Sequence, residues 1–160
     1  METKIVKGSR HQKIIGNFGE SLICNWLSRS NFEVAILDHT GIDIVAYNPS
    51  NQQRIGITVK SRTRTIGKED ESVNLFDERD YKKIIDACKF FACEPWIGVH
   101  AEETKRADMF LTSLQNYMEK YSRKVKTHDW KMTAAYRKMY EEDSRIKHIA
   151  IDFHPVNWAF

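Results

Sequence analysis

The chain has 160 residues, 41% of them hydrophobic and 29% charged, and its 25 basic and 22 acidic side chains give a formal net charge of +3. That balance fits a water-soluble globular protein; it is too mildly basic to signal nucleic acid by itself, and the apolar runs are too short for a membrane span or a signal peptide. Three cysteines (Cys24, Cys88 and Cys93) without C-x-x-C spacing argue against a disulfide framework and a zinc site, so the expectation is one domain over residues 1–160 in a reducing, cytoplasmic setting.

In chain order, Ile15, Phe18, Leu22, Ile23, Trp26 and Leu27 recur at helical spacing and predict a helix over 13–29, with Ser9 as its cap and Ser30-Asn31 as its end. Alternating apolar residues predict strands over 32–37, 42–47 and 54–61, joined by the turns Asp38-His39-Thr40-Gly41 and Asn48-Pro49-Ser50-Asn51. Such short connections make an antiparallel meander. A polar loop over 64–74 then leads to a second helix over 77–92, with Tyr81, Ile84, Ile85, Cys88 and Phe91 as its apolar stripe. Strands over 96–101 and 108–112, a helix over 133–143 and a strand over 146–153 complete the chain. The order implies an α/β fold, a mixed sheet with helices packed on it.

Basic residues fall in three groups: Lys4, Lys7, Arg10 and Lys13; Lys60, Arg62, Arg64 and Lys68; and Arg123, Lys124 and Lys126. Each is an ordinary solvated face by default. The second group is unusual because Lys60 emerges from the apolar strand "GITVKSR", and a lysine there needs a partner. Strand alternation places Ile42, Ile44 and Ala46 on one face and Ile55, Ile57 and Val59 on one face. If those sets share a layer, Asp43, Thr58 and Lys60 point together to the opposite side. On the first helix Glu20 falls at the border of the apolar stripe, flanked by the small Gly16 and Gly19. One glutamate, one aspartate and one lysine at a helix–sheet boundary can hold a hard divalent cation and stabilise charge on a phosphoryl oxygen.

A helix carrying Glu20 in "GNFGE", "GID" on one strand, "TVKSR" on the next, and then a further helix resemble the PD-(D/E)xK nuclease superfamily, above all its Holliday-junction-resolvase-like and Mrr-like branches. The likeness spans residues 13–92. It implies a restriction-endonuclease-like αβββαβ core and a Mg²⁺- or Mn²⁺-dependent endonuclease acting on DNA. Glu20, Asp43 and Lys60 would be catalytic, and Glu20, Asp43 and the position of Thr58 would hold the metal. Thr58 stands where the motif has an acidic residue, so more of the ion's charge falls to Glu20 and Asp43. Ser61, Arg62 and Arg64 follow the lysine where a DNA backbone would pass, and a homodimer is an assembly common in that branch.

The same residues have plainer readings. Asp43 can hydrogen-bond its own turn, Glu20 can pair with Lys60 or Arg62, and Lys60 can reach past the sheet edge to water. Two functions stay open on the sequence: a DNA endonuclease, or a catalytically impaired nuclease-fold module that binds nucleic acid or a protein partner in a defence or repair system. His39 sits near the motif but in a turn, while Trp130, Tyr136, Tyr140 and Trp158 read as packing aromatics.

Overall fold

The computed structural model describes residues 4–123 and 126–160; Lys124 of the third basic group lies outside them. Helix α1 (His11–Ser28) buries Ile15, Leu22, Ile23 and Leu27 along one stripe. Its N-cap is Arg10, one residue after the predicted Ser9, and no side chain caps it. Its end is set by Asn31, whose φ of 66° turns the chain so that the Ser30 and Phe32 N–H groups donate to the Leu27 carbonyl. Phe18 stays 44% exposed, edge-on to the ring of His100, so the buried stripe is narrower than the periodicity suggests.

Strands β1 (Glu33–Ile36), β2 (Ile44–Asn48) and β3 (Gln53–Thr63) form the expected antiparallel meander. Next come β4 (Val73–Asp77), α2 (Glu78–Phe90), β5 (Glu94–Glu102), β6 (Arg106–Ser113), α3 (Leu114–Lys120), β7 (Thr127–Trp130), α4 (Ala134–Glu142) and β8 (Lys147–Asp152). A six-stranded sheet has the order β1-β2-β3-β5-β6-β8. Strands β3 and β5 run parallel, with α2 between them in the chain, and the other pairs are antiparallel. Strands β4 and β7 form a separate antiparallel pair, bulged between Asn74 and Phe76.

The large sheet is covered on both faces. On one side α1 packs Leu22, Ile23 and Leu27 against Ile44, Ile55, Ile57, Met109 and Leu111. On the other, α2, the β4–β7 pair, α3 and α4 bury a second cluster around Ile84, Val99, Phe110 and Trp130. Trp130 is fully buried and stacks on Tyr140 at 4.2 Å between ring centres. Tyr136 is half-buried beside Tyr140, whereas Trp158 is 65% exposed and meets the ring of Phe160 edge-on. The buried Asp108 carboxylate is matched by Arg106 and Arg137, each at 2.8 Å, and His148 at 2.7 Å, so it ties α4 and β8 to β6.

Element by element, α1, β1, β2, β3, α2 and β5 are the predicted restriction-endonuclease-like core, with the short β4 inserted before α2. No helix among the described residues is long and apolar enough to cross a membrane.

Candidate active site

The site is built where β2 leaves β3. Gly41 takes a φ of 108°, and a Cβ there would overlap the Lys83 carbonyl of α2. The turn therefore lies flush on α2 and delivers Asp43 to the mouth of the meander. Asp43 is not part of β2; the chain bends there. Its N–H donates to the Ile57 carbonyl at 2.8 Å, and its Oδ2 accepts the Val59 N–H at 2.7 Å. The carboxylate thus replaces the backbone carbonyl that a longer β2 would have offered. This bend corrects the expected pattern of faces. Ile42 packs into the α2-side cluster while Ile44 and Ala46 pack against α1.

The expected convergence of Asp43, Thr58 and Lys60 is nevertheless present: all three line one cavity of about 190 Å³. Thr58 is buried and Lys60 half-buried. Asp80 and Lys83, ion-paired at 3.1 Å on the first turns of α2, line the same cavity. Nothing in the sequence singles them out: their i,i+3 spacing at a helix start is common on solvated faces and gives no hint of the cavity.

Glu20 reaches this end of the sheet from α1. Burial raises its carboxyl above the usual range, and the charge of Asp43 raises it further. Asp43 is raised chiefly by its own burial, against which the Val59 N–H and the Lys60 charge pull it down. Neither Lys60 nor Arg62 makes an ion pair with Glu20 among the described residues. The two carboxylates are therefore half-buried, close in charge and undercompensated, a donor set suited to a hard cation that keeps several waters. Among the described residues, no group of three or more His, Cys, Asp or Glu side chains is placed to hold a metal. A cation here would rest on Glu20, Asp43, the Thr58 hydroxyl, peptide oxygens and water.

Of the small neighbours of Glu20, Gly19 has a steric role and Gly16 does not. A Cβ on Gly19 would overlap Ser61 Oγ, whereas one on Gly16 would meet open space. That contact also fixes the fate of Ser61: it turns from Lys60 to the opposite face of β3, under α1. Arg62 donates to the Ser61 carbonyl at 2.8 Å. Arg64 donates to the Ser72 carbonyl at 2.6 Å and lies 3.7 Å from Glu71, so its guanidinium holds the loop that follows β3. His39 is exposed and packs edge-on to Phe91.

No protein-family model matches the sequence, and none of the curated proteins does. Among solved structures, the chain is similar to Hjc, a Holliday junction resolvase from the archaeal hyperthermophile Archaeoglobus fulgidus. The TM-score is 0.56 at 15% identity, over 78% of this chain and 88% of that one. The chain has the fold of that resolvase. At this identity the likeness is one of fold, and the chemistry must be argued from the side chains.

Proposed function

We propose that the protein is a metal-dependent endonuclease that hydrolyses DNA phosphodiester bonds, and that it is a member of the PD-(D/E)xK superfamily. The observation that carries this reading is the placement of Asp43, pinned by Val59 beside Lys60 and within the electrostatic reach of Glu20, on a resolvase fold. Glu20 and Asp43 would hold Mg²⁺ or Mn²⁺, with Thr58 as a neutral third oxygen. When bound, such an ion polarises a phosphoryl oxygen and acidifies water. Lys60 would hold the attacking water or offset the charge that builds on the phosphoryl group. Asp43 would keep its geometry through the reaction because its second hydrogen bond is to backbone. Arg62 would meet the DNA backbone, a contact that positions without reading sequence. A plasmid-nicking assay with Mg²⁺ is the test: nicking is expected from the native protein and not from Asp43→Ala or Lys60→Ala. Nicking that survives both substitutions would sink the proposal.

Thr58 favours a second reading, a nuclease-fold module that binds nucleic acid or a protein partner without cutting. A hydroxyl in place of a carboxylate removes one negative charge from a site whose further acid, Asp80, is already paired with Lys83. Salt-sensitive DNA binding without any calorimetric Mg²⁺ signal would favour this reading.

A further inference from the structure

Helix α2 closes through a left-handed residue. Ala92 takes a φ of 50°, its N–H donates to the Lys89 carbonyl at 3.2 Å, and the Cys93 N–H donates to the Cys88 carbonyl at 2.9 Å. In a helix end of this kind the two residues joined by the outer bond also bring their side chains together, and an apolar pair usually makes that contact. Here both positions are cysteine. The direct bond between their backbones keeps the two Cα atoms inside the upper limit of about 6.8 Å that a disulfide spans. A spacing of five residues is no redox motif in the sequence, and the pair arises only because the helix closes this way.

Strand β3 makes room for both sulfurs. A Cβ on Gly56 would stand 2.5 Å from Cys93 Sγ and 3.0 Å from Cys88 Sγ, so the sulfurs lie side by side over one glycine. Their bonds to backbone are long: the Cys88 thiol reaches the Gly56 carbonyl at 3.9 Å, and the Cys93 thiol the Cys88 carbonyl at 3.7 Å. A thiol is a weak donor, so little is lost if these contacts go. The two differ in access. Cys88 is 3% exposed, whereas Cys93 is half-buried between the exposed Ala92 and Glu94. Burial and the neighbouring Cys93 push the Cys88 thiol up to about 12. Burial raises Cys93 as well, while its hydrogen bond with Cys88 and the charge of Arg54 pull it back. Cys93 is therefore the thiol that a solute meets first. Cys24 belongs to α1 and packs in the cluster on the other face of the sheet.

We propose that Cys88 and Cys93 form a reversible oxidation site, which a peroxide closes into an intramolecular disulfide. The Cys93 sulfur attacks one peroxide oxygen; the O–O bond breaks, and the departing hydroxide takes the thiol proton and leaves as water. The Cys88 sulfur then attacks the sulfur of the Cys93 sulfenic acid, the S–O bond breaks, and the second hydroxide leaves as water with the Cys88 proton. Two electrons pass from the pair to the peroxide. The new bond staples the end of α2 to the start of β5. Gly41, two residues before Asp43, rests on the same helix at Lys83 and Ala87, so oxidation reinforces the element that supports the candidate site. The site and its chemistry are independent of the nuclease reading.

The test is hydrogen peroxide treatment of the folded full chain, followed by alkylation of the remaining thiols in denaturant and tryptic mass spectrometry. Cleavage after Lys89 separates the two cysteines, so the expected product is peptide 84–89 disulfide-linked to peptide 90–105. Dithiothreitol should release the two peptides. The link is expected to form equally in Cys24→Ser and to be absent from Cys93→Ala. The oxidised native chain should unfold at a higher urea concentration than the reduced one, because the bond fits the native geometry. Cys93 accumulating as sulfinic acid beside a free Cys88, a link that runs to Cys24, or three thiols still open to alkylation would overturn the pairing. A lower urea midpoint in the oxidised chain would overturn it too, by showing that the bond forms only when the helix end is distorted.

Discussion

The Asp43 carboxylate accepts the Val59 N–H at 2.7 Å, and that one bond both ends the β2–β3 ladder and aims the carboxylate beside Lys60. Structural and chemical roles coincide in one side chain, and they separate by substitution. Asp43→Asn keeps an acceptor for Val59 and should cost less than about 1 kcal/mol. Asp43→Ala leaves the Val59 N–H without its partner and should cost about 1–3 kcal/mol. Both should abolish nicking, because an amide is a poor ligand for a hard cation. Urea unfolding alongside the nicking assay checks the pair. Equal stability losses would show that the hydrogen bond contributes little.

Gly41 is the residue on which this geometry turns. Its φ of 108° and the absence of room between it and the Lys83 carbonyl exclude a side chain. Gly41→Ala should destabilise the protein by about 2–3 kcal/mol, visible as a lower urea midpoint. Nicking should fall even at temperatures where the variant remains folded, since Asp43 follows two residues later.

The core of the fold was legible in the sequence because its signals are long. Helix α1 shows five buried positions at helical spacing, and α2 has Asp77 as its N-cap, whose side chain accepts the Asp80 N–H at 2.8 Å. The missed elements are short. Strand β4 lies at the end of a polar loop, α3 spans seven residues, and β7 is four residues whose burial rests on Trp130. Each is stabilised by tertiary contact, which local periodicity does not display. At the site, the shared cavity of Asp43, Thr58 and Lys60 could be read from strand alternation. The bend at Asp43 could not, and strict alternation therefore misassigned Ile42. Ser61 is the opposite case: alternation already placed it across the strand from Lys60, and the expectation of joint phosphate contact with Arg62 and Arg64 overlooked that. Arg64 was unreadable because its partners, Ser72 and Glu71, come from the loop it closes.

His100 gives the stability a pH dependence. It is fully buried on β5, neither ring nitrogen has a hydrogen-bond partner among the described residues, and Glu102 is 3.8 Å away. Burial lowers its pKa from 6.5 to about 4, against a smaller upward pull from Asp108. Between those values the unfolded chain binds the proton and the folded chain does not, so stability falls as pH drops from about 6.5 towards 4 and then levels off for this group. The loss at the plateau should reach about 3 kcal/mol. Chemical denaturation at pH 7, 5.5 and 4.5 measures it, and His100→Asn should flatten the slope across that window. An identical slope in the variant would assign the effect to other groups.

In the proposed function Glu20 and Asp43 jointly hold a divalent cation. Calorimetric titration of Mg²⁺ into the native protein, Glu20→Gln and Asp43→Asn tests it most directly. A saturable signal in the native protein, weakened at least tenfold by either substitution, is the expected result. Native-like affinity in both variants, or no binding by the native protein, would contradict it.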